Sequence, residues 1–123
     1  MAFARTGAIF YVLWGMLHII AAYEEFLLGT SLEPGIVLGK INQGAWDLLF
    51  IAMTSIIIAI IYNWKNSLSG YWINLVLVSI ADIGFIFFIM IPGYAPFFPT
   101  ILGPVFWVLA ILFSTIAIRK KVL

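Results

Sequence analysis

Histidine occurs once in this sequence, at His18, inside a run of apolar residues, and Asp82 interrupts a second such run. An imidazole and a carboxylate are suited to exchanging a proton, and either charge left alone in hydrocarbon costs several kcal/mol. Each is therefore expected to face a protein interior and to pair or titrate. Gly7 to His18 and Tyr71 to Asp82 are both steps of 11 residues from the start of their runs, about 16 Å at helical rise. Equal depth predicts one polar layer in which His18 and Asp82 meet. Such a pair can bind a proton, a cation or the polar head of a lipophilic ligand; the same contact can also serve as a polar clasp between two helices.

Spacing gathers further residues around the pair. Tyr11, Trp14, His18 and Glu25 recur at helical intervals and share one face. Asp47 and Thr54 stand seven residues apart in a third run, and Gly103, Trp107, Ala110 and Ser114 line one face of a fourth. Counting back from Ile118 puts Trp107 in the layer of His18 and Asp82. Leu75, Ser79, Asp82, Ile86 and Ile89 form the matching stripe around Asp82. The expected binding or relay set is thus His18 and Asp82 at the centre, Asp47 and Glu25 at a mouth, and Trp14, Tyr11 and Trp107 as apolar or cation–π walls. Thr54, Ser79 and Ser114 can satisfy their hydroxyls on the preceding helical turn and are assigned no chemistry.

The elements that must position these residues follow from composition. The chain has 123 residues, 65% hydrophobic and only 9% charged, where a soluble domain carries about 25% charged residues. That is enough for about four spans of ~20 residues. The runs lie at about 7–23, with an extension past Glu25 toward Gly29, and at 45–62, 71–91 and 101–118. Residues 36–44 either lengthen the second helix or lie along the interface. Turn residues separate the runs: 29–35, 63–70 and 92–96. Backbone groups in lipid must be satisfied within the segment, and the alternation of a barrel strand is missing. The expected fold is all-α, a single integral membrane domain of four transmembrane helices. Arg5, Lys65, Arg119, Lys120 and Lys121 fall on one side of that plan and Lys40 on the other, which predicts cytoplasmic termini. Residues 1–22 read as a retained first span rather than a cleaved leader, because Ile19-Ile20-Ala21-Ala22-Tyr23 is a poor small-residue cleavage site.

Several chemistries are excluded. The chain has no cysteine, which removes thiolate metal sites, iron–sulfur clusters and c-type haem attachment. Its net charge of +1 leaves no nucleic-acid footprint. No lysine falls inside a span to carry a Schiff base. The Glu-x-x-His pairs of a di-iron bundle, a serine-hydrolase elbow and a phosphate-cradling loop do not occur. No metal and no cofactor is assigned. The plan of four short helices resembles that of the small multidrug exporters, which carry a mid-helix glutamate where this chain has Trp14 and His18. Phe113-Ser114-Thr115 is similar to a segment of the small fluoride channels, whose basic glycine-rich motif this chain lacks. The DoxX-like membrane proteins are similar in size and hydropathy. Three functions remain open: a site that opens to the outer face and binds or transports a proton, cation or lipophilic ligand; an accessory subunit or homo-oligomer of a membrane complex; and an enzyme acting on a quinone, sterol or isoprenoid. The expected partner common to all three is the lipid bilayer.

Overall fold

The computed structural model describes residues 1–122, and these are helical almost throughout. Helix α1 covers Ala2–Gly29 and α2 covers Ile36–Ile61. A short 3-10 turn, Asn63–Lys65, leads into α3, Leu68–Phe85, which continues as a π-helical stretch over Ile86–Met90. A short kinked segment, α4 (Phe97–Thr100), in which Phe98 is extended (φ −112°, ψ 134°), precedes α5, Leu102–Val122. Four of these segments, Ala2–Gly29, Ile36–Lys65, Leu68–Met90 and Phe97–Val122, are long and apolar enough to span a membrane. At 28 residues, α1 is about 42 Å long, more than the ~30 Å of a hydrocarbon core. It passes Glu25 and stops at Gly29, while α2 begins at Ile36 without a break, so residues 36–44 lengthen that helix.

The turn between α2 and α3 is shaped by three residues. Asn66 adopts the left-handed conformation (φ 57°, ψ 41°), which asparagine tolerates better than most residues. Its Nδ2 donates to the Ala117 carbonyl of α5 at 3.0 Å. Ser67 caps α3 by accepting from the Gly70 N–H at 3.4 Å. Gly70 must be small, because a Cβ there would sit 3.0 Å from the Asn63 backbone nitrogen.

Helix α1 packs along both α2 and α5, while α3 lies against α2 and α5 on the opposite side. Helices α1 and α3 therefore face each other across the diagonal of a four-helix bundle. The interior is made of small residues: Ala4, Ala8, Ala22, Ala45, Ala52, Ala59, Ala110 and Ala117 are buried, and Tyr11, Trp14 and Val78 are the larger apolar side chains among them. Large apolar side chains are on the outside instead, with Ile80 at 68% exposure and Phe88 at 73%. Small residues inside let backbones approach closely, and bulky ones outside suit a lipid solvent. This inside-out distribution, with the four apolar helices, points to a membrane protein.

Two inward faces differ from the expected stripes. Helix α3 buries Gly70, Asn74, Val78 and Asp82, a line at four-residue spacing, so Leu75 and Ser79 are its half-buried flank. Helix α2 buries Ala45, Ala52, Ser55 and Ala59. Asp47 is two residues from Ala45, about 200° around the helix, and is exposed.

Candidate functional site

Trp14 and His18 are one turn apart on α1, and side chains of a helix lean toward its N-terminus. The imidazole consequently lies over the indole, with ring centroids 3.9 Å apart and planes at 21°. His18 Nδ1 is 2.8 Å from the Trp14 carbonyl oxygen. A carbonyl can only accept, so Nδ1 carries a hydrogen and donates. This bond turns Nε2 across the bundle, where it lies 3.5 Å from Asp82 Oδ1 on α3. Trp14 Nε1 donates to that same Oδ1 at 3.0 Å. The expected meeting of His18 and Asp82 is present, and it spans the diagonal of the bundle.

Burial makes the arrangement demanding. Asp82 and Trp14 are fully buried and His18 is 8% exposed. Helix α5 closes the site with backbone: a Cβ on Gly103 would be 3.1 Å from His18 Cε1 and 3.5 Å from Nε2. Asp82 Oδ2 is buried without a hydrogen-bond partner. With Nδ1–H committed to the Trp14 carbonyl, a neutral ring turns the bare Nε2 lone pair toward Asp82. An ionised carboxylate opposite that lone pair would be repelled. One proton between Nε2 and Asp82 removes the conflict, as imidazolium with carboxylate or as imidazole with carboxylic acid. Both forms are neutral overall, the condition that makes the pair tolerable in an apolar interior.

The remaining expected residues surround this centre without joining it. Trp107 is half-buried and its Nε1 donates to Ser79 Oγ at 2.9 Å, one turn from Asp82 along α3. Gly103 of α5 lies against His18. The Ser79 hydroxyl, expected on its own helix, is thus an interhelical acceptor. Tyr11 is fully buried, and its hydroxyl has no partner. Glu25 is half-buried seven residues beyond His18, with Oε1 against Gly44 of α2, 2.6 Å from where a Cβ would stand. Asp47 is exposed on α2, and neither carboxylate is ion-paired with His18, whose carboxylate partner is Asp82. No three His, Cys, Asp or Glu side chains gather into a metal-ligating group among the described residues.

The residue that sequence reasoning missed is Asn74. It is fully buried, and its Nδ2 donates to the Ser55 carbonyl at 3.1 Å and to Asn63 Oδ1 at 2.8 Å. The signal was available: an amide within an apolar run, eight residues before Asp82 and so on the same helical face.

No protein-family model matches the chain, and no curated protein or solved structure is detectably similar to it. The class that the fold and the site define is an all-helical protein with four membrane-span candidates and a buried His–Asp pair at its centre.

Proposed function

We propose that this is a multi-span membrane protein whose His18–Asp82 pair binds and releases a proton within the bilayer as part of a transport cycle. The observation that carries the reading is the Nδ1 bond to the Trp14 carbonyl, which presents Nε2 to a buried carboxylate and leaves one proton to be shared. A proton is also the ligand that suits a site so closely filled by Trp14, Asp82 and the Gly103 backbone. The one-sided distribution of Arg5, Lys65, Arg119, Lys120 and Lys121 supports cytoplasmic termini. Glu25 and Asp47 then form an acidic outer mouth from which the central pair exchanges protons.

The single histidine makes a direct test possible. Protein labelled with nitrogen-15 in histidine gives ring signals from His18 alone. Nδ1 is expected to carry a hydrogen, and the Nε2 signal is expected to differ between the wild type and Asp82→Asn. An Nε2–H tautomer with a bare Nδ1 would refute the shared proton. Reconstituted in liposomes, the wild type should carry a proton flux that Asp82→Asn and His18→Gln abolish; equal flux in all three removes the transport reading.

A second reading, an accessory subunit or homo-oligomer, is favoured by α3. Only 17% of the most apolar window in its span is buried within the bundle, and Ile80, Phe87 and Phe88 lie on the open side. Native mass spectrometry of the detergent-solubilised protein separates the two: a monomer that still shows flux supports the first reading, and stoichiometric partner subunits support the second. The enzyme reading requires a cavity of about 300 Å³ beside the pair, a level that Trp14, Asp82 and Gly103 occupy.

A further inference from the structure

The opposite end of the bundle from Glu25 and Asp47 carries a cleft of about 440 Å³ between the α2–α3 turn and the ends of α1 and α5. Phe3, Lys65, Asn66, Ala117, Lys120 and Lys121 line it. We infer that this cleft is a binding site for the phosphate headgroup of an anionic glycerophospholipid, held by Lys65, Lys120 and Lys121. The inference is independent of the His18–Asp82 pair but rests on reading the four apolar helices as membrane spans.

Three observations converge on it. First, two elements bring like charges together: Asn66 Nδ2 on the Ala117 carbonyl staples the turn bearing Lys65 to the last turns of α5, where Lys120 and Lys121 lie. Gathering three ammonium groups is unfavourable unless an anion joins them. Among the described residues the only ion pair is His18–Asp82, and the other acidic residues, Glu24, Glu25, Glu33 and Asp47, lie toward the far end. Second, the lysines are positioned but not used up. Lys121 Nζ donates to the Asn66 carbonyl at 2.9 Å, which engages one of its three hydrogens. Lys120 Nζ lies 4.5 Å from the centroid of Phe3, a contact that leaves its remaining hydrogens for an acceptor. Third, the cleft has an apolar continuation. Phe3 stacks on Phe113 at 6.1 Å, and Phe113 on Phe10 at 5.9 Å. This aromatic ladder runs from the cleft along the α1–α5 seam toward the middle of the span. A headgroup phosphate on the lysines with an acyl chain along the ladder satisfies both halves. A soluble phosphate satisfies only the first.

Three basic residues in the last turn of α5 also complement the helix dipole, so the test must separate the cleft from general positive charge. Native mass spectrometry of the detergent-solubilised full chain is read with phosphatidylglycerol, phosphatidylcholine or inorganic phosphate added. Phosphatidylglycerol is expected to be retained in preference to phosphatidylcholine. Lys65→Gln and Lys120→Gln should each weaken that retention about fivefold, the scale of one basic residue near an anionic headgroup. Arg119→Gln removes the same charge from the same helix turn but does not line the cleft, and should leave retention near the wild-type level. Equal retention of the two lipids overturns the site, as does an Arg119→Gln loss equal to that of Lys65→Gln. Displacement of the lipid by inorganic phosphate overturns the lipid as occupant. A chain that stays monodisperse in water without detergent would instead overturn the membrane reading beneath it.

Discussion

Helices α1 and α3 face each other across the same bundle but are held by different physics. Helix α1 has the most buried span, 39% of its most apolar window against 17% for α3, and it gains that burial through small residues. A Cβ on Gly7 would be 3.0 Å from the Ser114 backbone nitrogen and 3.2 Å from the Ala110 carbonyl of α5. One on Gly15 would be 2.9 Å from the Ala52 carbonyl of α2. Backbone meets backbone on both sides, and dispersion over those close seams does the work. Helix α3 makes such a close approach only at its first turn, where Gly70 meets the Tyr62–Asn63 backbone, and a Cβ on Gly84 further along would meet nothing. Its anchors are polar: Asp82 to Trp14 and His18, Asn74 to Ser55 and Asn63, Ser79 to Trp107, and Tyr71 to Thr115 at 3.0 Å. A helix held by side-chain bonds at a few points can shift by exchanging those bonds, whereas one locked by backbone proximity cannot. Under the proposed proton cycle, α3 is the helix whose position a change in proton occupancy at Asp82 would control.

The largest effect should come from the bond that crosses the diagonal. Asp82→Ala leaves Trp14 Nε1 without its acceptor and His18 Nε2 without its partner. If the pair is imidazolium with carboxylate, removing one member costs about 3–5 kcal/mol, and unfolding in detergent followed by circular dichroism should show a loss on that scale; a much smaller loss would mark the neutral form. Asp82→Asn keeps an acceptor for Trp14 and should cost less than half as much. Equal losses for the two would mean that charge, not bonding, dominates at Asp82. On the other side of the comparison, Gly15→Ala forces α1 away from α2 and should cost about 1–3 kcal/mol, the usual range for overpacking. Because the atoms that a Cβ on Gly15 would meet belong to Ala52 and Ile56 of α2, the nitrogen-15 signals of His18 should keep their wild-type positions in this variant. Changed signals would show that α1 packing and the pair are coupled, against the division drawn above.

Sequence spacing located the pair because depth is a matter of counting residues from the same edge at 1.5 Å each, and that count needs no knowledge of packing. His18 and Asp82 were therefore legible, as were the four apolar helices. Angular position was less so. Asp47 and Asp82 look alike as acidic residues near apolar runs, but Asp47 lies two residues off the Ala45–Ala52–Ala59 face and points outward. The inward face of α2 is its Ala45–Ala52–Ala59 line, with Ala52 against Gly15, and bulky Leu and Ile residues on the exposed side mask that choice in a hydropathy reading. Trp107 donates to Ser79, one turn from Asp82, rather than to the pair itself, because the rotation of α5 about its axis, which decides where the indole N–H reaches, is not contained in a residue count. The tautomer of His18 was not legible at all, since it depends on one carbonyl four residues earlier.

Below the glycine seams in expected effect lies Asn74. Asn74→Ala deletes two donated bonds and leaves the Asn63 side-chain oxygen buried. At about 0.6–2 kcal/mol for interhelical bonds of this kind, the loss should be smaller than that of Asp82→Ala and close to that of Asn74→Leu if the bonds alone matter. A markedly milder Asn74→Leu would show that filling the space between α2 and α3 counts for more than the amide, which would bring α3 closer to α1 in kind.

Trp107→Phe is the mildest test and the one aimed most narrowly at the comparison. It keeps an aromatic ring on α5 and deletes only the indole N–H that donates to Ser79 Oγ. Ser79 is half-buried, and its hydroxyl can turn to donate to a carbonyl on its own helix, so the cost should be about 0.6 kcal/mol, the average for a single interhelical bond in a membrane bundle. Hydrogen–deuterium exchange gives the sharper readout. If α3 is held at separate polar points, losing one should raise amide exchange around Ser79 while leaving α1 amides unchanged. Exchange that rises equally along α1 and α3 would show the bundle opening as one unit, and the polar anchors of α3 would then be no more independent of each other than the glycine contacts of α1.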